Sequence, residues 1–292
     1  MTIIENTFSE LQTEQFDKES LSSPYLELLK RTLIGYSNID SFEYHPLAIV
    51  NPNWRTRILF IFDKILRKRN FAISKLKYVS REKRINGYDW PAQAETMIGL
   101  NRLNNIENCI RSILKDNIPG DFIEAGVWRG GATILMRAIL KESNITDRKV
   151  WLADSFAGLP KPDAHYNADQ GDKLHKIKIL SVTLDEVKNN FRKYDLLDEQ
   201  VIFLKGWFKD TLPNALIDNI ALLRLDADMY GSTMEALKYL YPKLTPGGFV
   251  IVDDYNAIPN CKKAVDDYRN KNHITAAIIT IDKEAVYWRR EL

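Results

Sequence analysis

Acidic residues end four of the apolar stretches in this sequence. They are Glu124, Asp154, Asp226 with Asp228, and Asp253 with Asp254. In an open α/β sheet, ligands bind outside the carboxyl ends of the parallel strands. A single acid at such a position serves as often in a turn or a helix cap as in a binding site. Because all four groups would share one rim of the sheet, we expect a ligand site there.

Three of these acids predict a metal site. Asp226, Asp253 and Asp254 end two strands that we expect to be neighbours, so their uncompensated carboxylates would converge and repel one another. A divalent cation with oxygen ligands would relieve this repulsion, and Mg²⁺ is the simplest choice. Such an ion would bind a substrate hydroxyl and lower its pKa, which leaves a carboxylate to accept the proton. The alternative is that these acids are caps and turn residues without a metal.

The turn after Glu124 predicts the cofactor. Its order is Glu-x-Gly-x-x-x-Gly-Gly, whereas a dinucleotide site has G-x-G-x-x-G. Trp128 and Arg129 stand where the second glycine would be, which disfavours a nicotinamide-dependent dehydrogenase. The pattern suits a cationic ligand without phosphate, such as S-adenosylmethionine, and Asp154 is placed to accept hydrogen bonds from ribose hydroxyls. The alternative is a strand, turn and helix whose glycines serve only close packing.

Strands and helices alternate along residues 86–292 and would position these acids. Apolar runs predict five strands and then a hairpin of two more, at 122–123, 149–154, 201–204, 221–226 and 247–254, and at 276–281 and 285–288. Helical periodicity covers 95–114, and capping boxes at 183–186 and 232–235 predict two further helix starts. We therefore predict the α/β class, with a doubly wound, mostly parallel seven-stranded sheet and an antiparallel C-terminal hairpin.

Residues 1–85 form a separate region in the sequence. Residues 1 to about 20 are polar and predict a tail without regular structure, and 24–33 predicts a helix with Ser22 or Ser23 as its cap. The segment 55–84 is strongly basic, with apolar residues interleaved. We expect a helical appendage with its charges in water, and the alternative is an amphipathic helix in weak contact with an anionic membrane surface.

The composition disfavours several classes of protein. The 292 residues are 45% apolar, and 41 basic against 39 acidic residues leave a net charge of +2, which gives no global attraction to nucleic acid. Cys109 and Cys261 fit no metal-ligand spacing and are expected to be reduced thiols. The N-terminus lacks the pattern of a signal peptide, and no segment reaches the roughly 18 apolar residues of a membrane span. We expect a cytoplasmic protein that forms a homo-oligomer.

Several motifs give the chain a specific resemblance. They are YLELLKR at 25–31, DWP at 89–91, TMIGLNRL at 96–103, IEAGVWRGG at 123–131, ADSFAGLP at 153–160, GWFKDTLP at 206–213, LDADMY at 225–230 and GGFVIVDDY at 247–255. Together they resemble the macrocin O-methyltransferase-like family. Members of that family depend on S-adenosylmethionine and magnesium, and they methylate sugar hydroxyls of macrolide and aminocoumarin natural products. The stretch 37–85 looks like an insertion relative to its compact members.

The resemblance implies a Rossmann-like class I methyltransferase and a role for each motif. The residues it places around S-adenosylmethionine are Thr96, Met97, Glu124, Ala125, Gly126, Val127, Trp128, Asp154, Ser155, Phe156, Gly158, Gly206 and Trp207. It implies that Asp226, Asp253 and Asp254 hold Mg²⁺, that Asp226 is the proton acceptor, and that Asp228 is the second candidate for this role. It also implies that the segment 161–175 is a mobile lid over the acceptor, in which His165 and His175 are polar residues rather than catalysts.

Two other functions are compatible with parts of the sequence. Asp226-Ala227-Asp228 after a strand is a D-x-D pattern, which in glycosyltransferases holds a metal bound to a nucleotide diphosphate. A non-catalytic α/β module, tethered to a membrane or partner through its basic N-terminal region, is the other alternative. The Glu-x-Gly turn argues against the glycosyltransferase. The sequence therefore favours a small-molecule O-methyltransferase.

Overall fold

The chain folds into one large α/β sheet with a smaller appendage. The structure is a computed structural model that describes residues 23–50, 53–54 and 56–291, so the predicted tail lies outside it. Within this range the helices are α1 (Pro24–Leu33), α2 (Arg57–Arg67), α3 (Arg81–Asn86), α4 (Leu100–Lys115), α5 (Gly131–Glu142), α6 (Leu184–Lys193), α7 (Phe208–Thr211), α8 (Tyr230–Leu240) and α9 (Pro259–Lys271). The strands are β1 (Phe42–Pro46), β2 (Ser74–Tyr78), β3 (Asp121–Ala125), β4 (Val150–Asp154), β5 (Val201–Lys205), β6 (Ile220–Leu225), β7 (Leu244–Val252), β8 (Ile279–Thr280) and β9 (Val286–Arg289).

Seven strands form the main sheet, in the order β5-β4-β3-β6-β7-β9-β8. The strands from β5 to β7 in that order are parallel, and β9 pairs antiparallel with both β7 and β8. The predicted doubly wound sheet with a reversed edge is confirmed. The chain runs outward in opposite directions from β3 and β6, and the crevice between two such strands is where α/β sheets bind ligands.

Apolar side chains cover both faces of the sheet. Helices α1, α4, α5 and α6 pack on one face around Phe122 and Ile134. Helices α8 and α9 pack on the other face, around Leu223 and Trp288. Strand β6 is buried along its whole length, as expected of a parallel strand with helices on both sides. Arg224 is the one charged residue in that strand and is only 1% exposed.

Two predicted helix starts are confirmed by their caps. Ser23 Oγ accepts a hydrogen bond from Leu26 N–H at the start of α1, and Pro24 is the first helical residue. Thr183 Oγ1 accepts one from Glu186 N–H at the start of α6. In both cases the capping side chain and the backbone N–H group from which it accepts are three residues apart.

Helix α4 begins at Leu100, not near residue 95 as its periodicity predicted. The backbone of the preceding residues bonds to other elements instead. The N–H groups of Glu95 and Thr96 donate to Leu33 O at the end of α1, at 3.0 and 3.2 Å, and Glu95 O accepts from Gly131 N–H at the start of α5 at 3.0 Å. These long-range bonds hold the segment in an irregular conformation before the helix.

Helix α8 begins at Tyr230, two residues before the predicted cap Ser232. A carboxylate from a distant segment supplies the cap. Asp169 accepts hydrogen bonds from Tyr230 N–H and Gly231 N–H, both at 2.8 Å. The local pattern therefore predicts this helix correctly but not its first residue.

The sequence predicts a helical appendage, but the structure of this region also contains a small sheet. Strands β1 and β2 form a two-stranded antiparallel sheet beside α2 and α3. Arg84 of α3 is buried and joins this region to the main domain. It donates to Ile34 O at 3.0 Å, to Asp89 Oδ2 at 2.9 Å and to Glu43 Oε2 at 3.2 Å. The domain division at 85/86 stays a prediction.

Helix α2 exposes an apolar face. Four of its large apolar side chains are more than half exposed, namely Ile58, Ile61, Phe62 and Ile65. On the opposite side Asp63 is buried, and its carboxylate accepts from Arg67 Nε and from Ile73 N–H, both at 2.7 Å. No helix among the described residues is long and apolar enough to cross a membrane.

Candidate active site

A cavity of about 790 Å³ opens at the carboxyl ends of β3, β4, β6 and β7. Most residues predicted for the site line it: Thr96, Met97, Glu124, Gly126, Val127, Trp128, Asp154, Ser155, Gly158, Gly206, Trp207, Asp226, Asp228, Asp253 and Asp254. Two others lie behind its wall, because Ala125 is in the core and Phe156 packs on Phe203, with ring centroids 6.2 Å apart. The acids from all four strand ends therefore face one cavity.

The turn after β3 requires a glycine at its first position. Gly126 has a φ of +87°, and a Cβ there would lie 1.8 Å from the backbone oxygen of Asp226. Asp226 N–H donates to Ala125 O at 2.9 Å. The ends of β3 and β6 are therefore in direct contact, which a side chain at position 126 would prevent. Trp128 completes the turn, and its Nε1 donates to Ile179 O at 2.8 Å.

Asp154 is held rigidly at the end of β4. Its Oδ2 accepts from Val127 N–H at 2.8 Å and its Oδ1 accepts from Phe156 N–H at 2.7 Å. Burial raises the pKa of Asp154, although these hydrogen bonds act in the opposite direction. Ser155 Oγ also donates to Oδ1 at 3.4 Å, so the turn engages both oxygens, and the carboxylate faces the cavity as an acceptor for a ligand.

Glu124 is buried beside the arginine of the neighbouring strand. Arg224 Nη1 donates to Glu124 Oε1, whereas Glu124 Oε2 has no hydrogen-bond partner among the described residues. Burial raises the pKa of Glu124 to about 8, although the charge of Arg224 lowers it. A buried acceptor without a partner on the cavity wall fits a ligand that brings a donor, such as an ammonium group.

Asp226, Asp253 and Asp254 converge as predicted. One carboxylate oxygen from each lies within 4.8 Å of those from the other two. The expectation that they are uncompensated is wrong, because two buried arginines contact them. Arg224 donates to Asp253 Oδ1 at 2.5 Å and to Asp226 Oδ2 at 3.0 Å, and Arg102 donates to Asp253 Oδ2 at 2.6 Å.

The sequence reasoning missed both arginines. Arg224 has a visible signal, since it is a lone charge in an apolar run that predicts a buried strand. Arg102 had none of its own, because its partners lie far away in the sequence. Besides Asp253 it binds Asp282 at 2.7 Å and Glu284 at 2.5 Å, in the turn before β9, over separations of 151 to 182 residues.

Acidic groups remain in surplus despite the arginines. Burial and the nearby Asp253 raise the pKa of Asp226 to about 6, and burial with repulsion from Asp226 raises the pKa of Asp228 to about 8. Burial, together with repulsion from Asp228 and then Asp226, raises the pKa of Asp254 well above its usual range. Burial also raises the pKa of Asp253, but the two arginines outweigh it and lower that pKa. A hard divalent cation would stabilise the ionised form of these crowded carboxylates.

The segment 157–182 covers the cavity. It consists of loops and one-turn helices, and Leu159, Tyr166 and His175 from this segment line the cavity. His175 Nδ1 is buried and has no hydrogen-bond partner within the described chain, whereas His165 is exposed and lies off the cavity wall. The two histidines that were grouped together in the sequence therefore have different surroundings.

The sheet order and the position of the cavity define the class. A seven-stranded sheet of this order, with a reversed strand next to β7 and an acid-lined cavity at its centre, is the fold of the class I methyltransferases. The sequence prediction of that class is confirmed. Within it, one family accounts for nearly the whole chain.

The chain belongs to the Macrocin-O-methyltransferase (TylF) family, whose model matches residues 22–290. It is 48% identical to demethyldecarbamoylnovobiocin O-methyltransferase of Streptomyces niveus over 270 residues, which cover 92% of this chain and 99% of that protein. It is 51% identical to 8-demethyl-8-(2,3-dimethoxy-alpha-L-rhamnosyl)-tetracenomycin-C 4'-O-methyltransferase of Streptomyces olivaceus over 208 residues, 70% of this chain and 79% of that protein. The solved structure of the O-methyltransferase NovP is 45% identical, with a TM-score of 0.77, and the match covers 92% of this chain and 98% of that one.

These similarities decide several points. The protein is an S-adenosylmethionine-dependent O-methyltransferase. Neither the D-x-D glycosyltransferase nor the non-catalytic module is favoured by any of them. Relative to the Streptomyces niveus protein the stretch 37–85 is not an insertion, because the alignment covers 92% of this chain and 99% of that protein.

Proposed function

We propose that the protein methylates a hydroxyl of a sugar or glycosylated natural product, with Mg²⁺ as a second cofactor. The observation that carries the proposal is the convergence of Asp226, Asp253 and Asp254 in the same cavity as the Gly126 turn. The acceptor class is supported by the relatives, since one of them is named for methylating the 4' oxygen of a compound with a rhamnosyl group.

The side of the cavity formed by β3 and β4 suits S-adenosylmethionine. Glu124 Oε2 offers an unpaired acceptor for its ammonium group, and the fixed carboxylate of Asp154 offers acceptors for its ribose hydroxyls. The backbone turns that contain the predicted cofactor-binding residues shape this half of the cavity, and the side chains of Trp128 and Trp207 supply apolar walls. When bound, the cofactor supplies an electrophilic methyl group for attack by the acceptor oxygen.

The side formed by β6 and β7 suits the metal and the base. Asp226, Asp253 and Asp254 would hold Mg²⁺, whose contribution when bound is to lower the pKa of the acceptor hydroxyl. Asp226 is the proposed proton acceptor and Asp228 the second candidate, because Asp226 belongs to the aspartate cluster and Asp228 lines the same cavity. Arg102 and Arg224 hold Asp253 from two sides, which fixes one carboxylate of the cluster before any ligand arrives.

A methyl-transfer assay tests this proposal. The purified protein would be incubated with methyl-labelled S-adenosylmethionine and a panel of glycosides and their sugar-free cores, and products would be identified by mass spectrometry. We expect label only in the glycosides, with loss of activity in EDTA and recovery on adding Mg²⁺. Asp226→Asn should lower kcat by 10²-fold or more, since it removes both a metal ligand and the proposed base.

Asp195→Asn is the matched control for that variant. Asp195 is a fully exposed acid with a φ of +53°, a conformation that asparagine also tolerates, and we expect unchanged activity. Full activity in EDTA would refute the proposed dependence on Mg²⁺. Methyl label in the sugar-free cores would refute the proposal that a sugar hydroxyl is the acceptor.

A further inference from the structure

Asp169 lies in the segment 157–182 and is only 1% exposed. Its carboxylate accepts hydrogen bonds from Tyr230 N–H and Gly231 N–H, both at 2.8 Å, and from Asn260 Nδ2 at 3.3 Å. The first N–H groups of a helix have no partner inside the helix. Met229, at the cap position of α8, makes no side-chain hydrogen bond there. The covering segment therefore supplies the cap that α8 does not have in its own sequence.

A second contact joins the same two elements. The ring of Tyr166 packs over Gly231, where a Cβ would lie 2.5 Å from Tyr166 Cδ2 and 3.2 Å from Asp169 Oδ2. The ring also lies against Tyr230, with centroids 5.8 Å apart. Gly231 does not have a positive φ, so its backbone conformation does not require glycine. Glycine is unfavourable inside a helix, and the close approach of Tyr166 is the reason for it here.

The first turn of α8 follows directly on the acidic loop of the site. Asp226 and Asp228 lie in this loop, and Asp228 has a φ of +57°. Asp228 N–H donates to Asp254 Oδ2 at 3.3 Å. A restraint on the start of α8 is therefore a restraint on the carboxylates proposed as metal ligand and base.

We propose that Asp169, Tyr166 and Gly231 form a latch that holds the segment 157–182 closed and, through the first turn of α8, positions the loop of Asp226 and Asp228. Asp169 is in this view a positioning residue, since it acts through α8 and not on the acceptor. The latch rests on the proposed function only in that the cavity it closes holds the acceptor. Opening it would free the cover and the acidic loop together.

Gly231→Ala is the sharpest test, because the added methyl group conflicts with the closed latch alone. In an open state the alanine methyl group does not contact the Tyr166 ring, and alanine has a higher helix propensity than glycine. We therefore expect only a small fall in Tm, because the helix propensity of alanine offsets part of the lost Asp169 cap. Peptides covering 160–177 and 226–233 should nevertheless exchange their amide hydrogens faster than in the wild type, because Tyr230 N–H and Gly231 N–H lose the Asp169 carboxylate. This measurement uses the protein without acceptor, so it does not depend on the proposed reaction.

A second pair of variants separates the cap from general damage to the segment. Asp169→Ala removes the cap of α8, whereas Asp172→Ala removes an acid of the same segment whose Oδ1 accepts from Leu174 N–H and which makes no hydrogen bond to α8 within the described residues. We expect faster exchange at 226–233 in Asp169→Ala and not in Asp172→Ala. Equal effects of the two variants, or wild-type exchange in both Gly231→Ala and Asp169→Ala, would overturn the latch.

Steady-state kinetics and a compensating change complete the test. Gly231→Ala should lower kcat/KM for the acceptor about tenfold or more and leave the affinity for S-adenosylhomocysteine unchanged. Adding Tyr166→Ala removes the ring that the methyl group strikes, so the double variant should recover slow exchange at 226–233. Two results would contradict the proposal. One is a loss of S-adenosylhomocysteine affinity as large as the loss of kcat/KM, and the other is amide exchange at 226–233 that is as fast in the double variant as in Gly231→Ala.

Discussion

Gly126→Ala tests the contact between β3 and β6 on which the geometry of the site depends. The substitution places a methyl group 1.8 Å from the backbone oxygen of Asp226, at a φ of +87°. A left-handed φ costs a non-glycine residue about 1–2 kcal/mol. Overpacking that forces the backbone to move costs a further 1–3 kcal/mol or so. We therefore expect the free energy of unfolding to fall by roughly 2–5 kcal/mol.

Gly171→Ala isolates the first of these costs. Gly171 has a φ of +84°, but a Cβ there would have no atom of the described part of the chain within 4 Å. Its loss should be about 1–2 kcal/mol, from the backbone conformation alone. Urea unfolding followed by circular dichroism would measure both variants, and the difference between them gives the cost of separating the two strand ends.

The activity of Gly126→Ala tests whether the contact between β3 and β6 also positions the site. If the strand ends separate, Asp226 moves away from the turn proposed to hold the methyl donor, and kcat/KM should fall by more than 10²-fold for a displacement of about 1 Å. Equal stability losses in the two glycine variants, with full activity in Gly126→Ala, would refute the inference that contact between β3 and β6 positions the site.

Two further predictions concern the appendage. Burial raises the pKa of Glu43, but His45, the backbone N–H groups of residues 92 and 93 and the charge of Arg84 outweigh it and lower that pKa from 4.5 to about 2. Folded-state ionisation of Glu43 therefore stabilises the protein above pH 4.5, and the stability difference between wild type and Glu43→Gln, from urea unfolding, should shrink by about 2 kcal/mol between pH 6 and pH 3. The exposed apolar face of α2 fits the expected homo-oligomer, so Ile61→Glu should lower the mass measured by light scattering. Wild-type binding to anionic vesicles that this variant loses, with no change in mass, would assign the face to a membrane surface instead.

The strands and the acids at their ends could be predicted because their signals are local. An apolar run that stops at a carboxylate predicts both a buried strand and a ligand at its carboxyl end, and Glu124 and Asp154 follow that pattern. The sheet order then brings these ends together without further information. Caps within three residues of their donors, such as Ser23 in α1, can be predicted for the same reason.

The errors share one physical cause, which is that a distant partner replaced a local signal. The periodicity from residue 95 onward is helical, but backbone bonds to Leu33 and Gly131 keep residues 95–99 out of the helix. The capping box at 232–235 was present, but Asp169 arrives from about 60 residues away and caps the helix earlier. The pairing of β1 with β2 likewise depends on a register that neither strand specifies alone.

Arg224 explains how a site proposed for two cations tolerates a buried positive charge. Its Nη1 donates to Glu124, on the half proposed for the methyl donor, and to Asp226, on the half proposed for the metal. Its Nη2 donates to Asp253. Because a guanidinium is a rigid planar fork of donors, one side chain sets the relative orientation of three carboxylates.

The arginines do this without neutralising the site. Arg102 shares its charge with Asp282 and Glu284, which lie away from the aspartate cluster, so much of its effect is balanced there. Asp228 and Asp254 make no ion pair among the described residues, and burial raises the pKa of both. Removing Arg224 would leave buried acids facing one another, a strongly destabilising change, whereas keeping it leaves acceptors free for a ligand. The arginine therefore fixes the geometry of the cluster, and the unpaired aspartates keep its attraction for a cation.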